Sequence, residues 1–84
     1  MANKAPLFTI YSREGCHLCE AMIDEIQTLR LPGGFEVAIV DVDGNDELKQ
    51  RFGLLVPVLT CEGDEICHYF LDPEAVNAYL LNIR

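Results

Sequence analysis

Apolar and polar positions along the chain change their period repeatedly, and each change predicts an element. Leu7 to Tyr11 (LFTIY) is short, β-branched and aromatic, which predicts a strand, and SREG breaks it. From His17 to about Arg30 the apolar residues Leu18, Met22, Ile26 and Leu29 recur at helical spacing among Glu20, Asp24, Glu25 and Gln27. That pattern predicts an amphipathic helix, ended by LPGG. Phe35 to Val42 (FEVAIVDV) is apolar through its middle, as expected of a strand covered on both faces in a parallel sheet. Asp43, Asn45 or Asp46 then caps a short helix over DELKQRF. LLVPVLT and EICHYFL read as two further strands joined by CEGDE, where Gly63 and Asp64 can take the positive φ angles of a tight hairpin. A Pro inside the first of these argues against an ordinary central strand. Asp72-Pro73 predicts an N-cap followed by Pro at the first helical position, and Val76, Tyr79, Leu80 and Ile83 form the apolar stripe of a closing helix.

The predicted order is β-α-β-α-β-β-α, without internal repeats or low-complexity tracts. Right-handed crossovers make the first two strands parallel, and the tight hairpin makes the last two antiparallel. The fold class is therefore α/β, with one mixed four-stranded sheet flanked by helices. At 84 residues the chain has room for a single domain over 1–84. A chain of this size buries about 60 to 65% of its unfolded surface, so a modest stability is expected.

Charge narrows the partners. Fourteen acidic against six basic residues give a formal charge of -8, a field that repels phosphate backbones and anionic membrane surfaces, so nucleic acid is not an expected partner. MANKAPLFTIYS lacks the apolar core of a signal peptide, and no segment approaches the roughly 20 apolar residues of a membrane span. A cytoplasmic, monomeric protein is expected.

In that setting four cysteines point to catalysis, metal binding or simple burial more than to permanent staples. Cys16 and Cys19 flank His17-Leu18 where a strand gives way to a helix. At that spacing the thiols can face each other within reach of a disulfide. The free amides and dipole of the helix N-terminus stabilise a Cys16 thiolate, while Gly15 allows a sharp turn that leaves the sulfur exposed. Cysteines so placed have pKa values lowered to roughly 3.5 to 7.5. Cys16 is then the nucleophile and Cys19 the resolving thiol, with His17 adjacent to add positive charge or touch a substrate.

Rival chemistries fit less well. Cys61 and Cys67 could complete a four-thiolate metal site, with His17 or His68 as substitutes, but their spacing is long for a zinc knuckle and hairpin alternation would send them to opposite faces. No metal ligand is assigned. Haem attachment needs His directly after the second Cys, where this chain has Glu20. DVDGND has its Gly at the fourth position instead of the sixth that a calcium loop needs. Cys61 and Cys67 themselves read as small hydrophobes.

From LFTIYSREGCHLC through LLVPVL to the last helix, the chain resembles the glutaredoxin-like branch of the thioredoxin-fold superfamily, in particular small bacterial glutaredoxin-like proteins. The resemblance implies a thioredoxin fold and a thiol-disulfide oxidoreductase acting in cell redox homeostasis or on protein disulfides. The alternative is a non-catalytic module holding a metal or partner through the same cysteines. The resemblance also implies that Pro57 of VPV is cis and lies against the cysteine pair, and that Val56 offers its backbone to an extended substrate. It makes glutathione a candidate reductant, with Arg13 meeting its carboxylate and Asp72 its amine, and no bound cofactor is expected. The chain departs from the family in carrying His17-Leu18 instead of Pro-Tyr, no Trp, and HYFLDPEAV where a Gly-Gly pair precedes the final helix. The implied substrate is a disulfide-containing protein or a small thiol.

Overall fold

The computed structural model describes residues 5–31 and 33–82. Eight elements follow in order: β1 (Leu7–Ser12), α1 (His17–Ile26), β2 (Glu36–Asp41), a 3-10 turn (Val42–Gly44), α2 (Asp46–Phe52), β3 (Val58–Cys61), β4 (Asp64–His68) and α3 (Pro73–Asn82). One sheet holds the four strands in the order β2-β1-β3-β4. The β1–β2 pair is parallel, and the β1–β3 and β3–β4 pairs are antiparallel. This is the four-stranded mixed sheet of the thioredoxin fold. Among the described residues no helix is long and apolar enough to cross a membrane.

Alternation along β1 divides the core. Phe8 and Ile10 point to one face, where they meet Met22 and Ile26 of α1, Leu59 and Cys61 of β3, and Val76 and Leu80 of α3. Tyr11 points to the other face and stacks on Phe52 of α2, with ring centroids 4.4 Å apart, beside buried Val42 and Val58. The central strand is thus sandwiched, while the edges are not.

Five expectations change. β2 is an edge strand with β1 as its sole partner, and Ile39 is 52% exposed; its apolar run reflects one covered face and a β-branched edge, not cover on both faces. The first helix stops at Ile26 because its last turn tightens: the Thr28 N–H bonds to the Glu25 carbonyl at 3.0 Å and the Leu29 N–H to the Ile26 carbonyl at 3.2 Å, while the Thr28 hydroxyl donates to the Glu25 carbonyl. Its buried stripe runs through Cys19, Met22 and Ile26, and Leu18 faces solvent. In the hairpin the positive φ angles belong to Glu62 and Gly63, and Asp64 opens β4. Pro57, with no N–H for a ladder, precedes β3 instead of interrupting it. Pro32 of LPGG, Ile83 of the closing stripe and the MANK opening lie outside the described residues.

The expected caps form. Asn45 Oδ1 accepts the Leu48 N–H at 3.1 Å, and Asp72 Oδ1 accepts the Ala75 N–H at 3.2 Å with Pro73 opening α3.

Tyr79 ties α3 to the hairpin, its hydroxyl donating to the Cys61 carbonyl at 2.9 Å and to Asp64 Oδ2 at 3.0 Å. Desolvation and the hydrogen bond to the Asp64 carboxylate push this phenol up to about 12. The unfolded phenol releases its proton near 10, so the folded state holds the proton more tightly. The resulting stability is present below about pH 10 and is lost as pH rises toward about 12. Tyr79→Phe is expected to cost about 1 kcal/mol or less at neutral pH. In urea titrations the gap between wild type and variant should close over that alkaline window; a gap independent of pH contradicts this account.

Candidate functional site

Residues 12–16 carry the chain from the end of β1 into α1, and Gly15 makes the turn at φ +77. Cys16 is the N-cap, in extended conformation, and its Sγ accepts the Cys19 N–H at 3.1 Å. A cysteine sulfur therefore takes the place that a Ser or Asp oxygen usually fills at a helix start. Cys16 and Cys19 are joined as a disulfide across a Cα–Cα distance of 5.2 Å. Their exposure differs: Cys16 is half-buried, whereas Cys19 is 2% exposed and packed into the core. Solvent therefore reaches the first residue of the pair and hardly the second. His17 and Leu18 between them are exposed.

Arg13 braces this turn. Its Nε lies 3.0 Å and its Nη2 3.0 Å from the Asp43 carboxylate, and Nη1 donates to the Gly53 carbonyl at 3.4 Å. Asp43 is itself fixed, its N–H donating to Asp41 Oδ1 at 2.9 Å. The segment before Cys16 is thus tied to the turn after β2 and to the end of α2. Gly53 leaves room for this arrangement, since a Cβ there would run into the Lys49 carbonyl and meet Arg13 Nη2 at 3.3 Å. A substrate carboxylate at Arg13 has to compete with Asp43.

Past Gly53 the chain runs through Leu54, which is 90% exposed, to a cis Val56–Pro57 bond. Among the described residues no backbone hydrogen bond uses Val56. Tyr69, just after β4, donates its N–H to the Pro57 carbonyl at 2.8 Å and its hydroxyl to the Leu54 carbonyl at 3.0 Å. Sequence reasoning offered Asp43 only as a helix cap and gave Tyr69 no place at the site, since no local spacing signals contacts made across 30 and 15 positions.

The other cysteines stand apart from this pair. A β-bulge at Leu59/Thr60 shifts the register so that Cys67 pairs with Leu59, and Cys61 and Cys67 both pack on the core under α1 and α3. Simple hairpin alternation would have placed them on opposite faces; the extra residue on β4 reverses that. Burial, followed by the nearby Glu62 charge, raises the Cys61 thiol pKa above its ordinary value. Burial and the charges of Asp72 and Glu65 outweigh a backbone hydrogen bond and raise that of Cys67. Both are held as neutral thiols, weak as nucleophiles. His68 Nδ1 sits 2.9 Å from Glu65 Oε2. Among the described residues no group of three or more His, Cys, Asp or Glu is placed to hold a metal ion.

The family model of the Glutaredoxin-like domain (DUF836) matches residues 7–81. The chain is similar to protein Ne2328 from Nitrosomonas europaea, whose solution NMR structure superposes with a TM-score of 0.81 at 41% identity, covering 94% of this chain and 98% of that one. Thioredoxin 1 from Thermosipho africanus shares the fold, with a TM-score of 0.60 at 20% identity over 90% of this chain and 96% of its own. An uncharacterised protein of Mycobacterium tuberculosis is 28% identical over 78 residues, 87% of this chain and 80% of its own length.

Proposed function

The chain belongs to the Glutaredoxin-like domain family, and from that membership and the Cys16–Cys19 pair at the head of α1 we propose a thiol-disulfide oxidoreductase that reduces protein disulfides. The observation that carries this reading is the asymmetry of the pair: one sulfur at the helix N-terminus within reach of solvent, the other 2% exposed behind it. In the reduced protein the Cys19 N–H and the helix dipole support a thiolate on Cys16. That thiolate attacks a substrate disulfide, forming a mixed disulfide and releasing the first substrate thiolate, which takes up a proton. Cys19, after losing its proton, attacks Cys16 Sγ, releases the second substrate thiol and leaves the Cys16–Cys19 disulfide. Two electrons have passed to the substrate, and a dithiol reductant restores the pair.

Val56 lends its unused backbone to an extended substrate segment, as in β-strand addition, with Pro57 alongside. His17 lies next to Cys16 and contacts the bound chain. Arg13 serves mainly as a brace through Asp43. The apolar Leu54, 90% exposed and two residues before Val56, favours a polypeptide over glutathione, whose acidic ends meet a chain of charge -8. A cytoplasmic monomer supplied with reducing equivalents fits this role.

The test is turnover on a disulfide-bonded peptide, with either dithiothreitol or glutathione as the final reductant and with metal analysis of the purified protein. Multiple turnovers with dithiothreitol, slower with glutathione, are expected. No turnover with either, or zinc or iron bound in equal number to the cysteine pair, overturns the proposal.

A further inference from the structure

Tyr69 has φ +67, a left-handed conformation that a bulky aromatic residue adopts only where its surroundings impose it. The two hydrogen bonds to the Pro57 and Leu54 carbonyls impose it here. They grip the segment from Leu54 to Pro57 at both ends, so that a residue anchored after β4 sets the path of a loop after α2. Packing holds the far end of the segment better than its start: the Leu54 side chain is 90% exposed, whereas Leu55 and Val56 rest partly buried on the cluster of Val42, Phe52 and Val58, Pro57 is buried, and the Leu55 N–H bonds to the Phe52 carbonyl at 2.8 Å. The His68 ring stands edge-on to the Tyr69 ring at 4.7 Å, which steadies the phenol on its outer side. Between the two gripped carbonyls lies Val56, whose backbone no hydrogen bond of the described chain uses. An unbraced loop would have to be ordered by the incoming substrate, and that ordering would weaken binding.

We propose that Tyr69 is a positioning residue: a strap that pre-sets the Val56 backbone for pairing with the extended chain of a disulfide substrate. The inference rests on the reading of Val56 as the substrate-pairing edge. Tyr69 acts through the loop and not on sulfur, so its removal changes binding and leaves the redox pair as it was.

Tyr69→Phe keeps the ring, its packing and the N–H, and removes the bond to the Leu54 carbonyl alone. Wild type and variant are compared in the reduction of a disulfide-bonded peptide with dithiothreitol, in the midpoint potential of Cys16–Cys19, and in NMR amide exchange of the oxidised proteins. KM is expected to rise about 3- to 10-fold, the span of one neutral hydrogen bond, with kcat and potential unchanged. The Leu55 and Tyr69 amides, bonded to the Phe52 and Pro57 carbonyls, should exchange faster by a similar factor, while core-strand amides keep their protection. An active wild type with unchanged KM in the variant overturns the strap alone. So does a joint fall of kcat, potential and core protection, which would mark general loosening. A wild type that reduces no disulfide removes the reading of the pair first, and the substrate role of Tyr69 with it; that outcome is visible before any variant is made.

Discussion

Cys16→Ser is expected to bring disulfide exchange down to the uncatalysed rate, whereas Cys19→Ser leaves the first attack intact and strands the mixed disulfide. The difference follows from position. Cys16 is the N-cap of α1, half-exposed, with an amide N–H directed at its sulfur; a serine hydroxyl there still caps the helix but has no thiolate to offer near neutral pH. Cys19 is 2% exposed, so in the wild type it meets only the sulfur that Cys16 brings to it. In Cys19→Ser nothing displaces the captured partner, and peptide accumulates on Cys16. Mass spectrometry after exposure to a disulfide-bonded peptide shows the adduct in one variant and not the other, and iodoacetamide at neutral pH should label reduced Cys16 rapidly only where Cys16 is present. A faster-labelled Cys19, or adducts absent from both variants, would reverse the assignment.

Phe8→Ala is expected to be the most damaging substitution outside the pair, lowering the unfolding free energy by about 3 to 5 kcal/mol. Phe8 is fully buried on the central strand and meets side chains from α1, α3 and β3. Its ring also packs edge-on against Phe35 at 5.7 Å, a pairing worth about 0.5 to 1.5 kcal/mol beyond area burial. A domain of 84 residues has roughly 4 to 13 kcal/mol in total, so this loss leaves little margin. Leu81→Ala removes a side chain of similar hydrophobicity from an exposed position on α3 and should change stability by no more than about 0.5 kcal/mol. Urea unfolding of the oxidised proteins, with the disulfide intact in each, measures both. Equal losses for the two variants would mean that the core does not lie where β1 meets α1 and α3.

Much of the fold and the head of the site was legible because the signals are local. Helical spacing placed α1 on the residues after Cys16, Asn45 and Asp72-Pro73 announced the starts of α2 and α3, and Gly15 marked the turn that presents the first sulfur. Each of these acts over one turn or less of chain, so neighbouring residues carry the information. The unequal exposure of the two cysteines follows from the same local geometry, because helix position separates a half-exposed N-cap from a residue one turn inside.

The sequence by itself therefore determined the order of elements, the cysteine pair and its place at a helix start. Tertiary structure decided what distant segments do to one another. Apolar runs in β1 and β2 look alike, yet pairing puts β1 at the centre and β2 at the edge, since strand order depends on the other strands present and not on either run. A single extra residue in β4 turns Cys67 to the core, because a register shift of one reverses every side chain beyond it. Arg13 finds Asp43 thirty positions away, and Tyr69 takes a left-handed backbone that no local preference of Tyr would select. These features depend on through-space pairings that form only once the chain has closed, which is why they shape the surroundings of Arg13 and Val56 while the residues next to Cys16 could be read in advance.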